Sequence, residues 1–284
     1  MDHTVLIFII SCLVAGVFSG LSSGLLGLGG GLVIVPVLNY LLPSIFHINP
    51  EYLLPICITT SFGVIIFNTA TASYKQYKLK NIHFKTALII VPPMIIFSAI
   101  VGHFVTQINP GYLKILFGLV VLYSAIHMQG KKALVEETQN YSLGSVKGVL
   151  AGAAIGSIAA TAGISGGSFL GPLFNSCKFP IKKALGTSSF CGFWLALSSF
   201  ISYVISGAHI DTGVPYTFGY FSLIAFSAIL IPSVIFASYG VKLQSVLPAP
   251  KVKRIFAYFL VLIALDMFIE GYELIHNPLL TFLG

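Results

Sequence analysis

The sequence predicts an all-α polytopic membrane protein made of two inverted-topology repeats of about five membrane segments each. Three observations predict it. Only 8% of the 284 residues are charged and 56% are hydrophobic, whereas a soluble domain carries roughly a quarter charged residues. Apolar runs of the ~20 residues that span a ~30 Å hydrocarbon core recur between short polar stretches. An ordered set of motifs in the first half of the chain also returns in the second half.

Taken in order, the first apolar segment covers 4–22. No Lys or Arg precedes its core Val5–Phe18, so it reads as a membrane helix rather than a cleaved signal, which needs a positive n-region. The further segments are 30–46, 53–73, 86–107, 111–129, 148–162, 166–177, 186–206, 217–239 and 255–275. Segments 30–46 and 166–177 are short and open on glycines. They read as half-helices or re-entrant elements, which gives eight full spans plus two short ones, or ten spans. The polar stretch 130–147 divides a first repeat over 1–129 from a second over 148–284, as a cytoplasmic linker would.

The motif series carries the repeat. Gly27–Gly31 followed by Pro36 matches Gly163–Gly167 followed by Pro172, at an offset of 136. Gly16, Gly20 and Gly24 match Gly148, Gly152 and Gly156 at 132, and Thr59–Phe62 matches Thr187–Phe190 at 128. Lys114-Ile115 opens the fifth segment as Arg254-Ile255 opens the tenth.

Charge placement predicts the inversion. With ten crossings, Lys75–Lys85, Lys131–Lys147, Lys178–Lys183 and Lys242–Arg254 all fall on one side, and Lys114 falls on the other. The positive-inside rule makes the basic side cytoplasmic, which puts both termini in the periplasm. Five crossings per half is an odd number, so the second half enters upside down, an architecture common in transporters. The net charge of +7 is thus used for orientation, and no nucleic-acid partner is expected.

Glycine runs inside apolar segments weaken a helix by about 1 kcal/mol per residue against Ala. In lipid, broken backbone is tolerated only against protein or a water-filled cavity. The runs therefore read as sites where a helix stops and restarts. The restarting helix presents unpaired N–H groups that favour an anion. Glycines also permit close helix packing. No Lys-Ser or Lys-Thr follows either run, so no phosphate loop is present.

Thr60, Ser61, Ser188 and Ser189 lie beside the breaks, as do Ser165 and Ser168. Asn39 and Asn68 lie within membrane segments. Such neutral donors hold an oxyanion without a fixed counter-charge, although Ser and Thr in helices commonly bond their own i−4 carbonyl. Asp266, Glu270 and Glu273 share one helix face. Asp266 lies roughly 18 Å along the helix from Arg254, which makes it the candidate for proton coupling. Cys12, Cys57, Cys177 and Cys191 form no CxxC pair and read as small hydrophobes. Pro92-Pro93 and Pro232 are candidate kinks. No cofactor, metal site or catalytic motif is expected.

These motifs resemble the sulfite exporter TauE/SafE family of membrane transporters. The resemblance rests on Gly27–Gly31 with Pro36, Gly163–Gly167 with Pro172, and the hydroxyl runs at 59–61 and 187–189, and it covers nearly the whole chain. It implies outward transport of sulfite or a small organosulfonate across the cell inner membrane. By motif match, Gly29, Gly30 and Gly31 would face the anion in the first half, and Ser165, Gly166 and Gly167 in the second. Ser165 replaces the Gly29 of the first motif and adds a hydroxyl. Two alternatives remain open on these residues, an anion channel or a carrier of another small organic anion. The partners expected are the small anion, the bilayer and, if the repeats assemble further, a second copy in a homo-oligomer.

Overall fold

The computed structural model describes residues 3–27, 29–46, 48–129, 143–243 and 249–276. Most of the expected linker, 130–142, lies outside the described residues. Within them the chain forms ten helices: α1 His3–Leu26, α2 Gly31–Leu41, α3 Pro50–Lys78, α4 Phe84–Phe104, α5 Pro110–Gln129, α6 Ser145–Thr161, α7 Gly167–Ser176, α8 Ile181–Gly207, α9 Leu223–Leu243 and α10 Ala249–His276. Seven of these are long and apolar enough to cross a membrane: α1, α3, α4, α5, α8, α9 and α10. Their outer faces carry large apolar side chains such as Leu88, Ile126, Ile231 and Leu262, as a lipid-facing surface requires. The chain is an all-α polytopic membrane protein.

The local signals are ordinary ones. Asn49 caps α3 by accepting the N–H of Glu51, Pro50 opens the helix, and Lys75 and Lys78 fall in its last turn. Each of these suits the helix end where it stands. The ninth segment differs from its expectation in kind at its start. The ninth was expected from 217, but residues 217–222 form a short antiparallel hairpin, Thr217–Phe218 with Phe221–Ser222, and α9 starts at Leu223. Gly219 is left-handed at φ +56 and packs against the backbone of Gly207, and a helix cannot run through that conformation.

Helix directions follow from packing. Gly16 and Gly20 of α1 meet Ile229–Pro232 and Ser233–Ala237 of α9 in ascending order, so α1 and α9 run parallel. Gly152 and Gly156 of α6 meet Ile90–Pro93 and Met94 of α4, also in ascending order. Contacts Gly63–Phe226 and Asn68–Ser233 make α3 parallel to α9. Contacts Phe84–Phe190 and Ser98–Ser198 make α4 parallel to α8. On α5 and α10 the order reverses, with Gly111 on Gly271 and Gly118 on Ala264.

Helices α1 and α3 therefore point the same way, as do α6 and α8. The chain must return between the members of each pair, and α2 and α7 lie on those returns. With 11 and 10 residues they reach only ~15–16 Å at ~1.5 Å per residue, half of the ~30 Å core. Each return passage is a glycine break, a half-helix and a loop. Neither half-helix is long enough to span alone.

The turns rich in lysine gather at one end. Lys183 Nζ donates to the Lys80 carbonyl at 2.6 Å, which joins the α7–α8 and α3–α4 turns. Gly240, near the end of α9, packs on Gly24 near the end of α1. Lys114 lies at the opposite end, paired with Glu270.

Candidate functional site

The two glycine breaks touch each other at the level of the middle of α3. Gly30, at φ +90, caps α2, and Gly166, at φ +71, caps α7, neither with a side-chain cap. Positive φ at Gly27, Gly29 and Gly163 completes the turns, conformations that residues with a Cβ rarely adopt. Gly31, the first residue of α2, lies against the Gly163 carbonyl and Ile65, and Gly29 lies against the Ser165 hydroxyl. Ser61 Oγ, on α3, donates to the Gly163 carbonyl at 3.0 Å.

Both half-helices thus begin at this junction. The N–H groups at the first two positions of each helix, Gly31 and Leu32 in α2 and Gly167 and Ser168 in α7, have no carbonyl of their own helix to donate to, and each N-terminus carries roughly half a positive charge. Gly29 from one break meets Ser165 from the other and Gly31 meets Gly163, while Gly30 lies on Ser19 of α1; Gly166 caps α7, which starts at Gly167 and Ser168. Ser165 and Ser168 are buried. On α8, Leu185 faces Gly27 and Gly192 backs onto Ser165. Ser188 lies between them and is buried with no partner for its hydroxyl. No Lys, Arg, Asp or Glu is among these residues, so the junction offers donors and dipoles without a fixed charge.

The other sequence candidates are placed elsewhere or otherwise engaged. Thr60 Oγ1 accepts the backbone N–H of Ser222 at 3.2 Å and so anchors the start of α9. Ser189 Oγ donates to the Leu185 carbonyl of its own helix at 2.9 Å. Asn68 lies two turns from Ser61 and donates to Ser233 Oγ at 2.7 Å. Asn39 lies near the far end of α2, away from the junction. Asp266 is exposed on the outer face of α10, one turn from Glu270.

A polar cluster that the sequence did not reveal lies at the end opposite the basic turns. Lys114 is 6% exposed, and its Nζ is 2.6 Å from Glu270 Oε2. The same oxygen accepts from Asn39 Nδ2 at 3.0 Å. Asn39 Oδ1 is buried without a partner. The pair links residues 156 positions apart, which no local pattern announces. The only available signal was that Lys114 stands alone among the basic residues on its side. A cavity of about 380 Å³ opens between α4 and α8, lined by Ala99, His103, Ser198, Ile201, Ser202 and Ile205. It is a largely apolar groove on the outer surface, away from the breaks. Among the described residues no group of three or more His, Cys, Asp or Glu could hold a metal ion.

Known proteins resemble this chain over most of its length. The family model described as sulfite exporter TauE/SafE matches residues 12–267. A probable membrane transporter protein of Haemophilus influenzae is 33% identical over 265 residues, which is 93% of this chain and 99% of that protein. A probable membrane transporter protein of Methanocaldococcus jannaschii is 26% identical over 244 residues, covering 86% and 88% of the two chains. A third, from Bacillus subtilis, is 27% identical over 216 residues, covering 68% and 77%. No solved structure matches the chain significantly.

Proposed function

The chain belongs to the sulfite exporter TauE/SafE family of membrane transporters, and from that premise we propose that it exports sulfite or a small organosulfonate anion by alternating access around the junction of its two breaks. The observation that carries this reading is the meeting of the two breaks that open α2 and α7, with Gly29 against Ser165 and Gly31 against the Gly163 carbonyl. Converging N-termini favour an anion. The buried hydroxyls of Ser165, Ser168 and Ser188 add neutral donors that bind without trapping the ligand.

Further features support a two-repeat carrier. The α1–α9 contact and the α6–α4 contact use the same atoms. A methyl on Gly16 would lie 2.6 Å from Pro232 Cγ, and one on Gly152 would lie 2.9 Å from Pro93 Cγ. Thr60 accepts the N–H of the residue preceding α9, and Thr187 accepts that of the residue preceding α4. These pairs favour reading 1–129 and 148–284 as inverted repeats that rock against one another. Gly31 sits closely on the Gly163 carbonyl, and close packing at the junction favours a carrier over an anion channel.

The basic turns at one end favour that end as cytoplasmic, with both termini in the periplasm of an inner-membrane protein. Outward movement of an anion is then driven by a negative-inside potential, at ~2.3 kcal/mol per charge per 100 mV. Asp266, within reach of Glu270 on the same helix, is the proposed proton-coupling carboxylate.

The test is flux in liposomes carrying the purified protein, with sulfite, sulfoacetate, taurine and sulfate as cargo. Saturable flux of a sulfonate or sulfite, reduced at least tenfold by Ser165→Val, is the expected result. Asp266→Asn should remove any response to a pH gradient and leave the voltage response.

A further inference from the structure

The two breaks are packed alike but are chemically unlike on one face. Gly30 sits against Ser19 of α1, whereas Gly166 sits against Ile155 of α6 and Leu195 of α8. Ser19 and Ile155 are 136 positions apart, as are Gly30 and Gly166. Gly20 lies on the Ser233 carbonyl, and Gly156 lies on that of Met94, so Ser233 and Met94 are counterparts. Thr60 and Thr187 make matching bonds to the backbone preceding α9 and α4. Asn68 and Leu195 stand the same number of residues beyond them. Ser19, Asn68 and Ser233 on one side thus answer to Ile155, Leu195 and Met94 on the other.

The backbone accommodates the apolar set in the second half, so packing does not demand the polar one. Burying polar groups costs free energy unless they are paired, and all three polar residues are 0% exposed. Their bonds form a chain. Asn68 Nδ2 donates to Ser233 Oγ at 2.7 Å, and Ser233 Oγ donates to Ser19 Oγ at 3.4 Å. The chain ends in a hydroxyl beside Gly30, at the start of α2. Asn68 Oδ1 is left without a partner. A hydroxyl serves equally as donor or acceptor, so the amide of Asn68 can turn over against Ser233 and present an N–H at its free edge.

We propose that Ser19, Asn68 and Ser233 form a loading subsite for a small oxyanion on one side only of the break junction. The proposal rests on the anion reading of that junction. The subsite lies toward the C-terminal half of α3, on the side of the lysine-rich turns. The counterpart side chains Ile155, Leu195 and Met94 lie toward the opposite end and carry no hydrogen-bond donor. The carrier is therefore asymmetric in affinity, and it loads its anion more readily from the basic side.

The test uses substitutions that the fold already accepts at the matching positions: Ser19→Ile, Asn68→Leu and Ser233→Met. Half-saturation for sulfite and for methanesulfonate is measured separately from each face in vesicles of known orientation. Asn68→Leu should raise it at least tenfold from the basic side and less than twofold from the other. An equal change on both sides, or none, overturns the subsite. Thermal stabilisation of the detergent-purified protein by the same anions separates the two claims. If wild type is stabilised and Asn68→Leu is stabilised equally, the subsite fails and the junction stands. If neither is stabilised by any oxyanion, both fail.

Discussion

Single residues carry much of this architecture, and glycine shows it most plainly. At Gly20 an added methyl would lie 2.9 Å from the Ala237 nitrogen, whereas at Gly171 it meets nothing within 4 Å. Gly20→Ala should therefore destabilise the protein by about 1–3 kcal/mol through overpacking. Gly171→Ala should stabilise it by about 0.5–1 kcal/mol through helix propensity. Melting curves in detergent give both signs. His83 offers a different kind of test. It lies in the turn before α4, where burial and then the charges of Lys183 and Lys85 push it below the usual imidazole value. The unfolded chain then binds the proton more readily than the folded one, so stability falls as pH drops through about 6.5. Melting temperature measured from pH 7.5 to 5.5 should decline, and His83→Asn should flatten part of that slope. The glycine breaks were legible from sequence because glycine runs are conspicuous inside apolar segments. The role of Thr60 was not, since the N–H it accepts belongs to Ser222, in a distant part of the chain.

At the scale of elements, the half-helices α2 and α7 could be read from their glycine starts and short length. What holds the far end of α2 could not. Lys114 of α5, Glu270 of α10 and Asn39 of α2 meet around one carboxylate oxygen, and only the folded chain brings them together. Sequence reasoning favoured Asp266 because it lies deeper along α10. The fold places Asp266 on the outer face, one turn from Glu270, whose carboxylate meets Lys114 and Asn39. Lys114→Met leaves the Glu270 carboxylate with Asn39 as its remaining partner and should cost about 2 kcal/mol, less than a fully buried pair because Glu270 keeps some exposure. Lys114→Met with Glu270→Gln should recover part of that loss, a coupling that a double-mutant cycle reads directly. The pairing of α1 with α9 and of α6 with α4 also escaped the sequence. Glycine spacing alone matched Gly16 to Gly148 at offset 132, but their packing partners match Gly16 to Gly152, at the 136 of the break motifs. The two alternatives differ by one helical turn, and a glycine at every fourth residue cannot distinguish them.

For the whole molecule, ten passages were countable because each apolar run is bounded by polar residues and the basic loops alternate. How the return passages work was not countable. They became clear only when α1 and α3 proved parallel, which obliges 27–49 to bring the chain back. The central claim is that two half-helix N-termini hold a small sulfur oxyanion for outward transport. Counterflow in liposomes tests it most directly: vesicles are loaded with unlabelled sulfite or organosulfonate, and labelled anion is offered outside. The account predicts transient uphill accumulation of label that saturates and that Ser165→Val reduces at least tenfold. Folded protein that moves no sulfur oxyanion, or that passes it without saturation or counterflow, would contradict the account.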